Sequence, residues 1–311
     1  MVDSAGMSLT SEVGMIIRTL DEVTLDAVAA MKGADNPRFR EIMVALVRHL
    51  HAFVREVRLT EVEFREAAAI LEEMGKLTTD THNELVLMAG SLGVSSLVCL
   101  LNNGDGGATE TSQSVLGPFW RLNSPQVANG GTIVRSDTPG DPLFVTARVV
   151  DRAGEPIAGA EVDVWHASPV GLYENQDPEQ AEMNLRGKLV TDSEGRFWFS
   201  TVKMVGYSIP IDGVVGRMLK TQNRQPKRPA HLHALIFKPG FKVLISQVYD
   251  PQDPNIEVDP QFGVTRALLG NYVRHDEPHP SDATIRAPWY SLDYTYVMEP
   301  GEAILPRPPI K

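Results

Sequence analysis

Two histidines one residue apart, His231 and His233 in "HLHALIF", stand inside a run that otherwise reads as a buried strand. Side chains on a strand alternate between faces, so His231, His233, Leu235 and Phe237 share one side while Leu232, Ala234 and Ile236 share the other. Two imidazoles leaving one face close together can offer two nitrogen ligands to a single metal ion. The competing reading is a pair of core histidines satisfied by backbone groups, and the pattern alone leaves it open. The other histidines are weaker candidates. His49 and His51 diverge on a helix, His82 lies by a helix cap and His166 at a strand end. His275 and His279 fall in the proline-containing "RHDEPHP", which reads as a surface loop.

What completes the set decides the chemistry. A two-histidine, one-carboxylate iron site wants an acidic residue shortly after the second histidine, where Ile236 and Phe237 stand instead. Tyrosines are available in loop contexts: Tyr173 in "PVGLYENQD" and Tyr207 in "VGYSIPIDG", each soon after an expected strand and in a bend that can fix a side chain. A phenol with a pKa of about 10 is a poor ligand. A trivalent metal displaces its proton, and phenolate is a hard oxygen donor that suits Fe(III). Tyrosines more commonly pack with the hydroxyl at a polar edge, so both readings stand at this point.

The elements that must position these groups change character along the chain. In "NPRFREIMVALVRHLHAFVREVRL", Phe39, Ile42, Met43, Leu46, Val47, Leu50, Phe53, Val54 and Val57 recur at helical spacing on one face. "TEVE" at 60–63 has the spacing of a capping box and opens a third helix through Leu71 and Leu77. "THNE" at 81–84 repeats that signal ahead of "LVLMAGSLGVSSLVCLL", so a fourth helix is expected to run to about Leu101 before "NNGDGGATE" breaks the pattern. From about Leu143 the period becomes two. "LFVTARVVD", "AEVDVWHA", "GRFWFSTV", "HLHALIF", "KVLISQVYD" and "PWYSLDYTYVMEP" read as strands separated by turn residues, with "DRAGEPIAG" as a hairpin connection between the first two. Strands without intervening helices imply an antiparallel sandwich or barrel.

Composition excludes several classes. The chain has 311 residues, 42% of them hydrophobic and 22% charged, and nothing marks it as fibrous or disordered. A formal charge of −11 argues against a nucleic-acid partner. A single cysteine, Cys99, excludes an intrachain disulfide. The first residues lack the basic and apolar blocks of a signal peptide, and no apolar run approaches the roughly 20 residues of a membrane span. A soluble, cytoplasmic protein is the expectation.

"GATETSQSVLGPFW", "VDVWHASPVGLYENQD", "GRFWFSTVKMVGYSIPIDGVVGRML" and "RPAHLH", in this order, resemble the intradiol ring-cleavage dioxygenases. Within that family the chain is most similar to the hydroxyquinol 1,2-dioxygenases, through "RFWF", "YSIPIDG" and "RPAHLH", with the catechol 1,2-dioxygenases close behind. The resemblance implies a mainly β protein: an antiparallel β-sandwich catalytic domain over 106–311, preceded by an N-terminal α-helical dimerisation region and linker over 1–105. It implies one non-haem Fe(III) per subunit, held by Tyr173, Tyr207, His231 and His233. Arg228 and Gln247 match active-site residues, with Tyr207 acting as both ligand and base. The substrate pocket is implied to be lined by Val115, Leu116, Gly117, Pro118, Phe119, Ile209, Pro210 and Arg228.

Cys99 stands about where some hydroxyquinol enzymes carry an acidic residue that could bond the extra hydroxyl. The partners implied are an aromatic diol, O2, a second copy of the chain and, in some relatives, a phospholipid at the dimer interface. The activity implied is cleavage of hydroxyquinol to maleylacetate (3-hydroxy-cis,cis-muconate), with catechol or chlorocatechol cleavage to muconates as the alternative. From another class, "VVDRAGEPIAGAEVDVW" also resembles the hairpin of transthyretin-like domains, which would make the β region a non-enzymatic binding module.

Overall fold

The computed structural model describes residues 16–79, 82–104, 107–282 and 284–309. The chain forms two compact units divided between Leu71 and Glu72. The change of composition that sets the expected domain boundary lies at Asp105 and Gly106, outside the described residues, as do Thr81 and the first fifteen residues.

The first unit is helical. α1 (Leu20–Ala29) is opened by a capping box between Thr19 and Glu22, and α2 (Pro37–Glu56) by Asn36, whose side chain accepts from Arg38 N and Phe39 N. α3 (Glu61–Leu77) has the expected box: Glu63 N donates to Thr60 Oγ1 at 3.3 Å and Thr60 N to Glu63 Oε2 at 2.8 Å. The apolar face of α2 forms as its spacing predicts but is not covered, with Phe39 57%, Leu50 51% and Phe53 52% exposed.

The second unit begins within α3, at Glu72, and continues with α4 (Glu84–Ser91) and α5 (Val94–Asn103). The single fourth helix expected here is broken, because Gly93 takes the left-handed conformation with φ +76°, which ends α4 and starts α5. Asn83 caps α4, its side chain accepting from Val86 N at 3.0 Å. Among the described residues no single helix is long and apolar enough to cross a membrane; α4 and α5 reach that length only as a pair bent by 77°.

Then come β1 (Pro142–Val150), β2 (Glu161–Trp165), β3 (Arg186–Val190), β4 (Arg196–Val202), β5 (Tyr207–Ser208), α6 (Val214–Thr221), β6 (Lys227–Arg228), β7 (His231–Phe237), β8 (Leu244–Tyr249), β9 (Asn271–His275) and β10 (Trp289–Val297). One sheet runs β4-β1-β10-β9 and the other β3-β2-β7-β8. Pairing is antiparallel as expected except between β1 and β10, which run parallel. The "DRAGEPIAG" loop is not a hairpin connection: β1 and β2 belong to different sheets, so it carries the chain across the sandwich. His275 is not on a loop either, since it ends β9 and stacks on Trp289 with centroids 3.8 Å apart.

A single core fills the space between the sheets, with Leu143, Val145, Phe197 and Leu292 from one side meeting Val162, Leu232, Ala234 and Ile236 from the other. Strand alternation then sends His231, His233 and Leu235 to the outer face of β7. There a second aromatic cluster gathers: Phe119, Trp120, Trp165, Tyr173 and Tyr207 with Leu235. The site therefore sits on the back of one sheet, roofed by loops, while the sandwich core lies beneath it.

Candidate functional site

Register explains how residues far apart in sequence meet. On β7, His231 pairs with Tyr249 and His233 with Gln247 of β8, while His233 also faces Trp165 of β2. Directly opposed residues of an antiparallel pair project from the same face, so Gln247 and Tyr249 flank the two imidazoles. The two-residue β5 and β6 place Tyr207 opposite Arg228. Tyr173 arrives on the loop after β2, where Gly171 N donates to Ser168 O at 2.8 Å and Gly171 has φ +82°. That loop is tied down by the buried Glu174, which accepts from Arg186 Nε at 2.7 Å and from Arg121 Nη1 at 2.9 Å. Arg186 also reaches Phe119 O at 2.7 Å, so the loop carrying Tyr173 and the segment 115–119 share one anchor.

Four donor atoms converge. His231 Nε2 and His233 Nε2 are 3.1 Å apart, His233 Nε2 and Tyr173 Oη 3.2 Å, and Tyr173 Oη and Tyr207 Oη 3.5 Å. Such spacings are the edges of a small coordination shell whose ligands each stand about 2 Å from one centre. Protonation fits the same use. His231 Nδ1–H donates to Pro229 O at 2.8 Å, which fixes the tautomer and leaves Nε2 with its lone pair facing the other ligands. Burial, with the Arg228 charge close by, pushes the His231 pKa down to about 3, and burial with the neighbouring His231 holds His233 well below its ordinary range. Burial and the adjacent Tyr207 hold the Tyr173 phenol well above 10. Two neutral imidazole lone pairs and two phenol oxygens packed this closely suit a multivalent cation among them, which would favour the phenolates. His233 is stacked flat on Trp165 at 4.6 Å, and a Cβ at Gly117 would come within 3.1 Å of His233 Cε1. No bulkier residue than glycine passes there unstrained, because Gly117 also has φ +76°.

Arg228 stands beside the donors, its Nη1 3.4 Å from His231 Nε2. It is 3% exposed. Burial opposes its charge, yet Asp259 holds the guanidinium protonated, accepting from Nε at 3.0 Å and from Nη2 at 3.1 Å. Nη2 also donates to Gln247 Oε1 at 2.8 Å and Tyr249 Oη at 2.6 Å, and Gln247 Nε2 donates to Val115 O at 2.6 Å. Gln247 thus links the guanidinium to the pocket wall. Burial works against ionisation of Asp259, but Arg228 and the Gly263 and Gln261 amides bring its pKa below the usual 3.8.

A cavity opens onto Tyr207 and Arg228, with Val115, Gly117, Pro118, Phe119, Ile209 and Pro210 in its wall. Leu116 is not in the wall; it packs against the aromatic cluster around Phe119 and Trp165, where its apolar side chain is partly buried. Gln247 meets the cavity only through its partners Arg228 and Val115. Cys99 does not line this cavity. It lines a separate small cavity with Ser96 and Phe262, and burial raises its thiol to about 11. His166, buried at the strand end, donates from Nδ1 to Ala167 O and accepts from Thr201 Oγ1, which is a structural role. Sequence reading did not find the rest of the wall: His82, Asn83, Val86, Leu87, Gly90, Ser95 and Gln261. For the α4 residues, the capped "NELVLMAG" was signal enough of a helix but not of the face it turns to the pocket.

Residues 115–296 match the family described as "Dioxygenase", and residues 36–109 that described as "Catechol dioxygenase N terminus". With a β-sandwich that carries this tyrosine and histidine cluster, the chain belongs to the intradiol ring-cleavage dioxygenases, oxidoreductases that open an aromatic ring. The transthyretin-like binding module is thereby set aside. The chain is 37% identical over 296 residues to a hydroxyquinol 1,2-dioxygenase of Rhizobium sp., covering 94% of this chain and 99% of the relative. It is 34% identical over 260 residues to a catechol 1,2-dioxygenase of Candida albicans, covering 83% and 85%. The crystal structure of a hydroxyquinol 1,2-dioxygenase from Pseudomonas putida superposes with a TM-score of 0.83 at 37% identity, covering 91% of this chain and 99% of that one.

Proposed function

We propose that this protein cleaves hydroxyquinol between its adjacent hydroxyls to give maleylacetate in its 3-hydroxy-cis,cis-muconate form, with Fe(III) held by Tyr173, Tyr207, His231 and His233. The observation that carries the reading is the convergence of those four donors beside a cavity that ends on Arg228. Ferric iron bound there would make a chelated diol electron-rich enough to react with O2 directly. The chain's own residues then have distinct tasks. Of the two phenols only Tyr207 borders the cavity, so its Oη is the group placed to accept a proton from an incoming hydroxyl. Arg228, kept charged by Asp259, sits where negative charge grows on the ring and its oxygens. Gln247 holds Arg228 through Nη2, which Asp259 also engages, and ties it to Val115 O in the cavity wall. Val115, Pro118, Phe119, Ile209 and Pro210 clasp the ring and exclude water.

The helical region over 1–105 is assigned to a homodimer, which the uncovered apolar face of α2 supports, with a phospholipid as a further occupant of that apolar surface. The β-sandwich over 106–311 is the catalytic part, and the protein works in the cytoplasm. Cleavage of catechol or a chlorocatechol is the second reading, favoured by the similarity to the Candida albicans enzyme.

Anaerobic titration of the iron-loaded protein with hydroxyquinol, catechol and chlorocatechols should shift a red-to-purple phenolate charge-transfer band. Admission of oxygen should then yield ring-opened products cut between the hydroxyls. A colourless protein that binds no iron, or a product cut outside the two hydroxyls, overturns the assignment.

A further inference from the structure

Gly90 lies inside α4 with an ordinary helical backbone, so its conformational freedom does not explain it, and a helix-interior glycine costs about 0.5–1 kcal/mol against alanine. Space does explain it. A Cβ at position 90 would stand 1.9 Å from Gln261 Oε1 and 2.9 Å from Gln261 Cδ, so the Gln261 amide occupies the place a side chain would take. Both residues line the ring cavity.

The amide is held firmly. Gln261 Nε2 donates to the buried Ser91 Oγ at 2.7 Å, and Gln261 O accepts from Ser96 Oγ at 3.1 Å. Arg224 bridges the same two elements, donating to Ser91 O and to Pro260 O, each at 2.8 Å. Gln261 N donates to Asp259, the carboxylate that anchors Arg228. Among the described residues no donor meets Gln261 Oε1; of its polar neighbours in the wall, His82 Nε2 donates to Glu84 and Asn83 Oδ1 caps α4.

We infer that Gln261 is the specificity-determining residue for the third ring hydroxyl, and that Gly90 is glycine to admit its amide. A phenolic hydroxyl buried against this wall needs a partner, and a fixed amide supplies one without the cost of burying a charge. This deepens the ring-cleavage reading above and rests on it. An aromatic diol with no third hydroxyl leaves the amide unpaired, so the site favours the triol over catechol.

The test is the ratio of kcat/KM for hydroxyquinol to that for catechol, in iron-loaded wild type, Gln261→Leu, Gly90→Ala and the double variant. Gln261→Leu is expected to lower the ratio about tenfold, the scale of a lost hydrogen bond with its stranded partner. Gly90→Ala should lower it in the same direction by pushing the amide aside. The double variant should fall no further than Gln261→Leu alone, because both changes remove one contact. Iron content and the charge-transfer band report folding independently of activity. An unchanged ratio in a folded Gln261→Leu, or fully additive effects, overturns the inference alone. A wild type inactive on both diols overturns the ring-cleavage reading as well.

Discussion

Replacing Arg228 by alanine separates the structural role its contacts show from the electrostatic role proposed for it. The guanidinium is bound by Asp259, Gln247 and Tyr249, and both it and the Asp259 side chain are almost wholly buried, 4% and 3% exposed. Removing one partner of a buried ion pair commonly costs about 3–5 kcal/mol, because the other charge is stranded. Asp259 keeps its bonds from Gly263 N at 2.9 Å and Gln261 N at 3.2 Å, so the loss belongs at the lower end, about 3 kcal/mol. With the cation gone, burial dominates and raises the Asp259 pKa, so the carboxyl takes up a proton as pH falls and the penalty relative to wild type shrinks toward acid pH. The rate should fall independently, on the order of 100- to 1,000-fold, as for other preorganised stabilisers of developing charge. Urea denaturation, iron content and turnover would be measured on Arg228→Ala and on Arg228→Ala with Asp259→Asn. The second change should return most of the stability and none of the rate. Wild-type turnover in the single variant, or recovered turnover in the double one, refutes the electrostatic role of Arg228.

Tyr173→Phe and His231→Ala should each purify with well under one iron per chain and without visible colour, whereas Arg228→Ala keeps both; metal analysis and absorbance spectra decide it. His166 provides a pH prediction apart from the four proposed ligands. Burial pushes its pKa down to about 4, against an ordinary 6.5, so the unfolded chain binds a proton first as pH drops. Its contribution is present above pH 6.5 and is lost progressively between 6.5 and about 4, at about 1.4 kcal/mol per pH unit. Between pH 6.5 and 5 wild type should therefore lose about 2 kcal/mol more than His166→Gln in urea denaturation; parallel losses would contradict this.

Local rules made the strand pair His231 and His233 legible, since a strict two-residue period places Leu232, Ala234 and Ile236 in one core and Leu235 in another. They failed where tertiary contact overrides propensity. β3 was missed because "RGKLV" is short and has a glycine at its second position, where any Cβ would stand 2.5 Å from Ile133 Cγ2. α6 has Gly216 in its middle and borrows its N-terminal capping from outside, as Glu84 Oε1 accepts from Val215 N at 2.8 Å. β9 is an edge strand of largely polar residues and carries little period. Gln247, a partner of Arg228, was legible from the resemblance, but its anchor Asp259 and the neighbouring Gln261 were not. Asp259 and Gln261 lie in an aperiodic loop, and only the folded path brings "EVDPQFG" back to "KRPAHLH".

That loop makes charge and shape recognition interdependent. Asp259 pins Arg228, and two residues on, Gln261 pins the end of α4 through Ser91. A displacement of Gln261 is transmitted to Asp259 through its backbone amide, so substitutions at position 261 will shift absolute turnover as well as preference. On the proposed roles, preference is separable from that background because Arg228 would meet charge common to every diol, whereas the amide would meet only a ring that carries a further hydroxyl. The ratio of the two substrates cancels the first and retains the second. If catechol and hydroxyquinol turnover instead move in step across the position-261 and position-90 variants, the loop acts on the guanidinium alone and the third hydroxyl is read elsewhere in the wall.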